Sequence, residues 1–531
     1  MTSLLAHVYG QDSGFRLGFG LVSRSLVAGV DSSTQSVKVT VHDLESGEQV
    51  SQMRASHPDG TEVDPEVWVG ALDESLAKAA SQAGVGAEAQ LVGVGVAAQQ
   101  HGMVLLDEHD RVVRPALLWN DTRSAAAADD LVRELGGAEV WAKATGSLPV
   151  AAFTVSKVRW VAQHEPEAIK CAVRVMLQHD FLTRRLSGNA IFATDRGDAS
   201  GTGYFSPATG EYLEDFLVAA AGMTLKTTRV AQPSEVVGEV AAGANFAAGA
   251  NFGASASLAA GAQLSAGTGD NMGAALGLGL NVGDVVVSLG TSGTAFGVSA
   301  TPTDDPTGVV AGFADATGNF LPLVCTLNAA RTMTAGAQLL SVDLVGLSDL
   351  ALRAESGAGG LVLLPYLDGE RTPNLPDARG SLHGITRENF TKENLARAVV
   401  EGMLCGLADA VDALSAQGLQ VNRVLLIGGA ASSPAVQQIA ATIFSANIVV
   451  PMADEYVAVG AARQAAWAVL GGEAPPAWPA IPAPASAAAL PQSVASHPQP
   501  GSQTAAAPVL LANPNPQVRA NYASARNALH Q

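Results

Sequence analysis

Basic side chains are scarce in this 531-residue chain: 30 Lys and Arg stand against 49 Asp and Glu, a formal net charge of −19. No Lys/Arg cluster occurs anywhere, so a surface for nucleic acid or an anionic membrane, which needs a concentrated positive field, is excluded. Small molecules are the expected partners. Cysteine is scarcer still. Cys171, Cys325 and Cys405 are far apart, odd in number and without metal-type spacing, which excludes a disulfide framework and fits a reduced cytoplasm. We assign them no catalytic role. Residues 1–24 lack the basic start and apolar core of a secretory leader, and no apolar run there is long enough to span a bilayer, so a soluble, cytoplasmic protein is expected. Gly-x-x-x-x-Gly-Lys-Ser/Thr is also missing, which excludes a P-loop.

What is present is apolar mass. Hydrophobic residues make up 48% of a chain longer than one core usually serves, so two domains with tails are expected. After an N-terminal extension over 1–25, residues 26–31 form a buried strand, Val37, Val39 and Val41 alternate as a second, and Glu45-Ser46-Gly47 turns. Asp64-Pro65 opens a helix, Leu91 to Val96 returns as a buried strand, and helices are predicted near 122–135, 152–164 and 179–187. Within this first domain, 26–275, the hexapeptide Ala-Ala-Gly-Ala-Asn-Phe stands twice in tandem at 241–252, and we take 241–260 as an expanded surface loop. A second domain, 276–472, repeats the strand, turn and strand pattern over Val285 to Phe296 and carries a long helix over Glu393 to Leu414. Composition then predicts an Ala/Pro-rich linker over 473–513 and a short C-terminal helix over 514–531, with Val518, Tyr522, Ala525 and Leu529 on one face.

Two turns rich in glycine and hydroxyls follow strand-like runs. They are Asp31-Ser32-Ser33-Thr34-Gln35-Ser36, with Lys38 just beyond, and Ser288-Leu289-Gly290-Thr291-Ser292-Gly293-Thr294. A strand ending in small residues offers N–H groups and hydroxyls at close range, as a phosphate requires, although an ordinary hairpin turn has the same look. Asp31 could hold Mg²⁺ there. Asp270, after Gly267-Thr268-Gly269, stands at a predicted helix start, either as a base for a substrate hydroxyl or as a plain helix cap. Gln99-Gln100-His101 and Trp119-Asn120-Asp121 supply amide and imidazole groups beside an aromatic wall, which suits a polyhydroxylated ligand, while a satisfied core histidine is the usual fate of a lone imidazole. Gly428-Gly429, between a strand and a helix, would let a ribose or flat ring approach the backbone, though such turns are often structural.

Together these motifs resemble the FGGY family of carbohydrate kinases over about residues 26–472. Gly380-Ser381-Leu382-His383-Gly384-Ile385, followed after eight residues by Asn394-Leu395-Ala396-Arg397-Ala398-Val399-Val400-Glu401, is similar to a family signature at every position. A second, around Thr154 to Trp160, matches except at Ala152. The wording of Pro365 to Asn374 and of Asp454 to Val457 is similar to that of the members acting on D-xylulose. The resemblance implies an α/β fold of two actin-like, ribonuclease-H-like ATPase domains around a central cleft, with ATP and Mg²⁺ as cofactors. It implies Asp270 as general base, Asp31 and Asp270 near the metal, and Thr34, Gln35, Ser36, Lys38, Gly290, Thr291, Gly293 and Thr294 at the phosphates. Adenosine falls near Gly428, Gly429 and Ser433, and the sugar near Gln100, His101, Trp119, Asn120, Asp121, Asp270 and Asn271. The expected reaction is phosphorylation of D-xylulose at O5. Ribulose, gluconate or glycerol are the alternative acceptors, and a non-catalytic actin-like ATP-binding protein is the rival from another class. Family members often form homodimers. The insertion before Asp270 departs from typical members.

Overall fold

A computed structural model describes residues 24–242, 258–478 and 507–528. The N-terminal extension and nearly all of the tandem-repeat segment lie outside the described residues.

Strand Arg24–Ser32 is buried from Leu26 onward because it is central: Ser36–Asp43 pairs with it antiparallel on one side, and Ala89–Ala98 pairs with it parallel on the other. The full sheet runs Val236–Glu239, Gln263–Ser265, Ala89–Ala98, Arg24–Ser32, Ser36–Asp43, Gln49–Ser56, with Thr268–Gly269 also on Ala89–Ala98. Its parallel centre reads as continuous apolar sequence because both faces are covered. Helix Pro65–Gln82 covers one face with Trp68, Leu72 and Leu76, and the Asp64 carboxylate accepts from Glu66 N–H at its start.

The second sheet repeats the arrangement. Asp284–Leu289 pairs antiparallel with Gly293–Gly297 and parallel with Arg423–Ile427, within the order Ala311–Ala314, Phe320–Thr326, Gly293–Gly297, Asp284–Leu289, Arg423–Ile427, Asn447–Val449, Val509–Leu510. Helix Lys392–Ala416 is buried against it through Val399, Met403 and Leu407. Observed helices Ala125–Glu134, Thr154–His164 and Gln178–Leu186 match the predicted positions within a few residues. Among the described residues, no single helix is long and apolar enough to cross a membrane.

Helix Tyr456–Leu470 joins the two halves. It comes from the second half of the chain yet packs on Arg24–Ser32 and Ala89–Ala98 of the first sheet and on helix Asp270–Gly277. The approach is backbone against backbone. A Cβ on Gly29 would stand 1.9 Å from the Ala458 carbonyl oxygen, and one on Gly460 would stand 1.8 Å from that of Gly273. Gln464, fully buried, adds a polar tie, donating to the Gly267 carbonyl at 2.9 Å and accepting from Ser265 Oγ at 3.0 Å.

Both described ends of the segment predicted as linker are anchored. Trp478 packs under Gly47, donates to the Leu44 carbonyl at 3.2 Å and stacks on His42. Val509–Leu510 extends the second sheet, and helix Pro516–Asn527 then docks through Val518, Tyr522 and Ala525, with Arg519 2.8 Å from Asp409 and the Tyr522 hydroxyl 3.4 Å from that of Tyr366. Composition overlooks these anchors because one buried indole or a two-residue strand hardly changes the average of an Ala/Pro-rich stretch.

Substitution Gly460→Ala is expected to lower the thermal midpoint, since overpacking against a rigid carbonyl costs about 1–3 kcal/mol or more. Gly70→Ala, in helix Pro65–Gln82 with open space at its Cβ, should instead raise stability by about 0.8–1 kcal/mol from helix propensity. Tyr522→Ala should cost about 3 kcal/mol as a large buried ring is removed. Differential scanning calorimetry checks all three.

Candidate active site

The first phosphate-type turn is electrostatically loaded. Asp31 closes its strand opposite Lys38 on the return strand, with Lys38 Nζ 3.4 Å from the Asp31 carboxylate and 2.7 Å from Glu455. Ser33 Oγ donates to Asp31 at 2.6 Å. Burial pushes the Asp31 carboxyl up, and the Lys38 charge opposes it. Glu455 comes from just before helix Tyr456–Leu470, so the interhelical seam delivers the third member of this cluster.

Asp270 is the first residue of helix Asp270–Gly277, and Gly269 takes the N-cap position. The Asp270 carboxylate accepts from its neighbour Asn271, from the main-chain N–H at 2.8 Å and from Nδ2 at 2.9 Å, and does not cap a later N–H of the helix. Its pKa is pushed up to about 7, by burial first and then by the negative charge of Asp31, with the Asn271 N–H acting against both. A carboxylate whose charge raises another's pKa belongs to the same small region. Beneath them, Thr268 Oγ1 donates to Asp195 at 3.0 Å, Asp195 caps the turn Arg196–Ala199, and Asp198 accepts from buried His179 Nδ1 at 2.6 Å. Burial acts against a charged His179, yet Asp180 and Asp198 hold its pKa well up.

One of the amides reaches the residue beside this carboxylate. Gln100 accepts from Asn271 Nδ2 at 3.3 Å, while its own Nε2 is buried without a partner among the described residues, as is Asn120 Oδ1. Buried polar atoms of this kind call for a partner, which a water or a ligand can supply. His101 is held with φ at 69°, its ring stacked on Phe153 and its Nδ1 2.6 Å from the Gly201 carbonyl. A carbonyl only accepts, so Nδ1 carries the proton and Nε2 keeps its lone pair. Burial, helped by the Lys157 charge, takes the His101 pKa down to about 3. Lys157, fully buried, donates to the carbonyls of His101 and Ala152. Trp119 Nε1 donates to Thr34 Oγ1 at 3.2 Å, and Thr34 donates to Gln99 at 3.0 Å, linking the aromatic wall to the phosphate turn.

Not every predicted residue faces the site. Both carboxylate oxygens of Asp121 accept from the Nε–H of Arg123, at 2.9 and 3.0 Å, and Arg123 pairs in turn with Glu62, so Asp121 orders its own loop. Gln35 is exposed and donates to Asp59 at 2.9 Å, whereas Ser36 is buried.

On the other side, the Gly290 carbonyl accepts from Ala330 N–H at 2.9 Å, and the Thr291 carbonyl accepts from Arg331 at 3.3 Å. Gly293 and Thr294 enter strand Gly293–Gly297. Gly428, with φ at 88°, is pressed on the Leu289 backbone, where a Cβ would stand 2.8 Å from the carbonyl carbon, while Gly429 is open. Ser433 Oγ is buried without a partner among the described residues. Parallel pairing of Ser288 with Ile427 thus places the second phosphate turn beside the Gly-Gly turn.

Among the described residues, no group of three or more His, Cys, Asp or Glu could hold a metal by itself. Asp31 and Asp270 are an all-oxygen pair, which fits a hard cation that takes its remaining ligands from phosphate and water. Sequence reasoning missed the His179, Asp195 and Asp198 support. Its signal was a dense polar run, Thr194-Asp195-Arg196-Gly197-Asp198-Ala199-Ser200, in otherwise apolar surroundings.

The model of the FGGY family of carbohydrate kinases, N-terminal domain, matches residues 26–277, and that of the C-terminal domain matches 285–469. The chain is 44% identical over 454 residues to the xylulose kinase of Streptomyces coelicolor, covering 85% of this chain and 89% of that one. It is 34% identical over 429 residues to the xylulose kinase of Escherichia coli, covering 78% and 84%. The crystal structure of xylulose kinase from Bifidobacterium adolescentis superposes with a TM-score of 0.81 at 40% identity, covering 95% of this chain and 99% of that one. A gluconate kinase from Lactobacillus acidophilus, 22% identical with a TM-score of 0.79 over 96% of this chain and 98% of that one, shares the fold. With both domain models matched in order across two sheets of the same design, the chain belongs to the FGGY family of carbohydrate kinases.

Proposed function

We propose that this chain transfers the γ-phosphoryl group of ATP to O5 of D-xylulose in the cytoplasm. The observation that carries the reading is the placement of Asp270: one carboxylate with its pKa raised to about 7 lies between the Asp31 and Lys38 pair and the Gln100 and Asn271 amides. High identity to proteins named xylulose kinase supports the choice of sugar.

In the reaction, the sugar hydroxyl oxygen attacks the γ-phosphorus and its proton passes to the Asp270 carboxylate. The bond from phosphorus to the bridging oxygen breaks, and that oxygen leaves on ADP with the electron pair. Lys38 and the hydroxyls and N–H groups of both turns hold phosphate oxygens, so most of the rate comes from positioning and charge. Asp31 and Asp270 are the residues that would hold Mg²⁺, whose chemistry is to draw charge from those oxygens. Gln100, Asn120, Asn271 and the His101 Nε2 lone pair bind sugar hydroxyls, and Trp119 lies along the C–H face. The Gly428-Gly429 turn and Ser433 take the adenosine.

A panel of ketoses and polyols with a coupled ADP assay tests the reading: the largest kcat/KM is expected for D-xylulose, and a preference for ribulose, gluconate or glycerol reassigns the sugar. Asp270→Asn should cut kcat by at least about 10²-fold while sugar binding survives. Near-normal turnover would leave Asp270 a purely structural residue. His101→Ala should raise the sugar KM more than the ATP KM. NMR of the His101 ring should show no titration between about pH 5 and 8, because the pKa near 3 keeps the ring neutral throughout that window.

A further inference from the structure

The segment Pro365 to Asn374 contributes nothing to the mechanism above, yet it is pinned against the strand beside the second phosphate turn. Buried Glu370 accepts from Leu327 N–H at 2.6 Å, from Asn328 Nδ2 at 2.9 Å and from Arg371 N–H at 2.8 Å. Asn328 also donates to the Gly369 carbonyl at 2.7 Å, and Thr372 Oγ1 donates to the Cys325 carbonyl at 2.9 Å. Arg371 lies between these two clamps. Strand register then sets its neighbours, for Cys325 is paired with Thr294 of the second turn.

That strand is also tied to the half bearing Asp270. Ala314, on the adjacent strand, donates its N–H to Ser200 Oγ at 3.1 Å, and Arg196 donates to the Asn319 carbonyl at 2.6 Å. Ser200 and Arg196 flank the Asp195 and Asp198 support beneath Asp270. Consistent with this placement, burial pushes the Cys325 thiol up while two groups act on it in opposite senses: the charge and side-chain hydrogen bond of Arg371 lower it, and the charge of Asp270 raises it.

Of the cations beside the two turns, Lys38 is matched with Asp31 and Glu455, and Arg331 with Asp368. Arg371 is exposed and has no carboxylate partner among the described residues. We propose that Arg371 is a further catalytic residue whose guanidinium contacts the phosphoryl group as it passes between the second turn and Asp270. The inference rests on the kinase reading. Atoms balance as written above: the new bond joins the sugar oxygen to phosphorus, the old one to the bridging oxygen breaks, and Arg371 neither gains nor loses a proton. Its planar, permanently charged fork fits equatorial phosphate oxygens, and it is free to bind them more strongly as charge spreads in the transition state.

The test uses the full chain with its best sugar and ATP. Arg371→Ala should lose at least about 10²-fold in kcat, with sugar and ADP affinities by calorimetry and the melting midpoint unchanged. Added guanidinium ion should restore part of that turnover, and Arg371→Lys should stay impaired because a point charge lacks the fork. Wild-type kcat in Arg371→Ala, a loss expressed through ADP or sugar affinity alone, or a loss without guanidinium rescue would overturn the proposal while leaving the kinase reading intact. A wild-type chain that releases no ADP in response to any sugar would overturn both.

Discussion

The rest of the structure depends on how closely helix Tyr456–Leu470 can lie on the first sheet and on helix Asp270–Gly277. Main-chain atoms meet where Gly29 faces Ala458 and Gly460 faces Gly273, leaving no room for side chains. At such range packing is dense and stiff, and interiors of this kind transmit displacement instead of absorbing it. Three site features follow from that seam: Asp270 starts the packed helix, Gln464 ties down the loop before it, and Glu455 leads into the packing helix to reach Lys38. A shift of the seam would move Asp270, the loop and the cation cluster together.

Within this rigid frame, negative charge is concentrated against its own preference. Asp31, Asp270, Asp195 and Asp198 are neighbours, and each has its pKa raised, with burial the leading cause. Lys38 and a protonated His179 offset part of the repulsion, which makes the cluster tolerable in a folded protein. The remaining excess favours any cation or proton that enters. In the proposed reaction, a base that captures a hydroxyl proton and a donor pair for a divalent ion would be two uses of the same stored repulsion.

Local signals carried much of the fold. Strands, turns and capped helices were legible wherever a short-range rule applied, as at Asp64-Pro65 or along Val37, Val39 and Val41. Candidate residues next to turns, such as Asp31, Lys38, Asp270, Gly428 and Gly429, stood out in the sequence because phosphate and nucleotide chemistry ask for recognisable residue types. The partner of Asp121 was not legible, because only the folded loop shows the Nε–H of Arg123, two residues away, shared between its two oxygens. Trp478 and Val509 escaped notice inside a stretch whose average composition describes an unfolded linker.

By itself, then, the amino-acid order determined the two-domain α/β plan, the phosphate-type turns and the candidate base, because each rests on contacts a few residues apart. Tertiary structure decided which polar groups meet: Glu455 with Lys38 across 417 positions, Gln464 with Gly267 across 197, Thr372 with Cys325 across 47. Such encounters depend on chain reversals and on the depth to which two backbones interpenetrate. No periodicity or local preference encodes those distances, since they are set by the volume of every side chain packed between the partners.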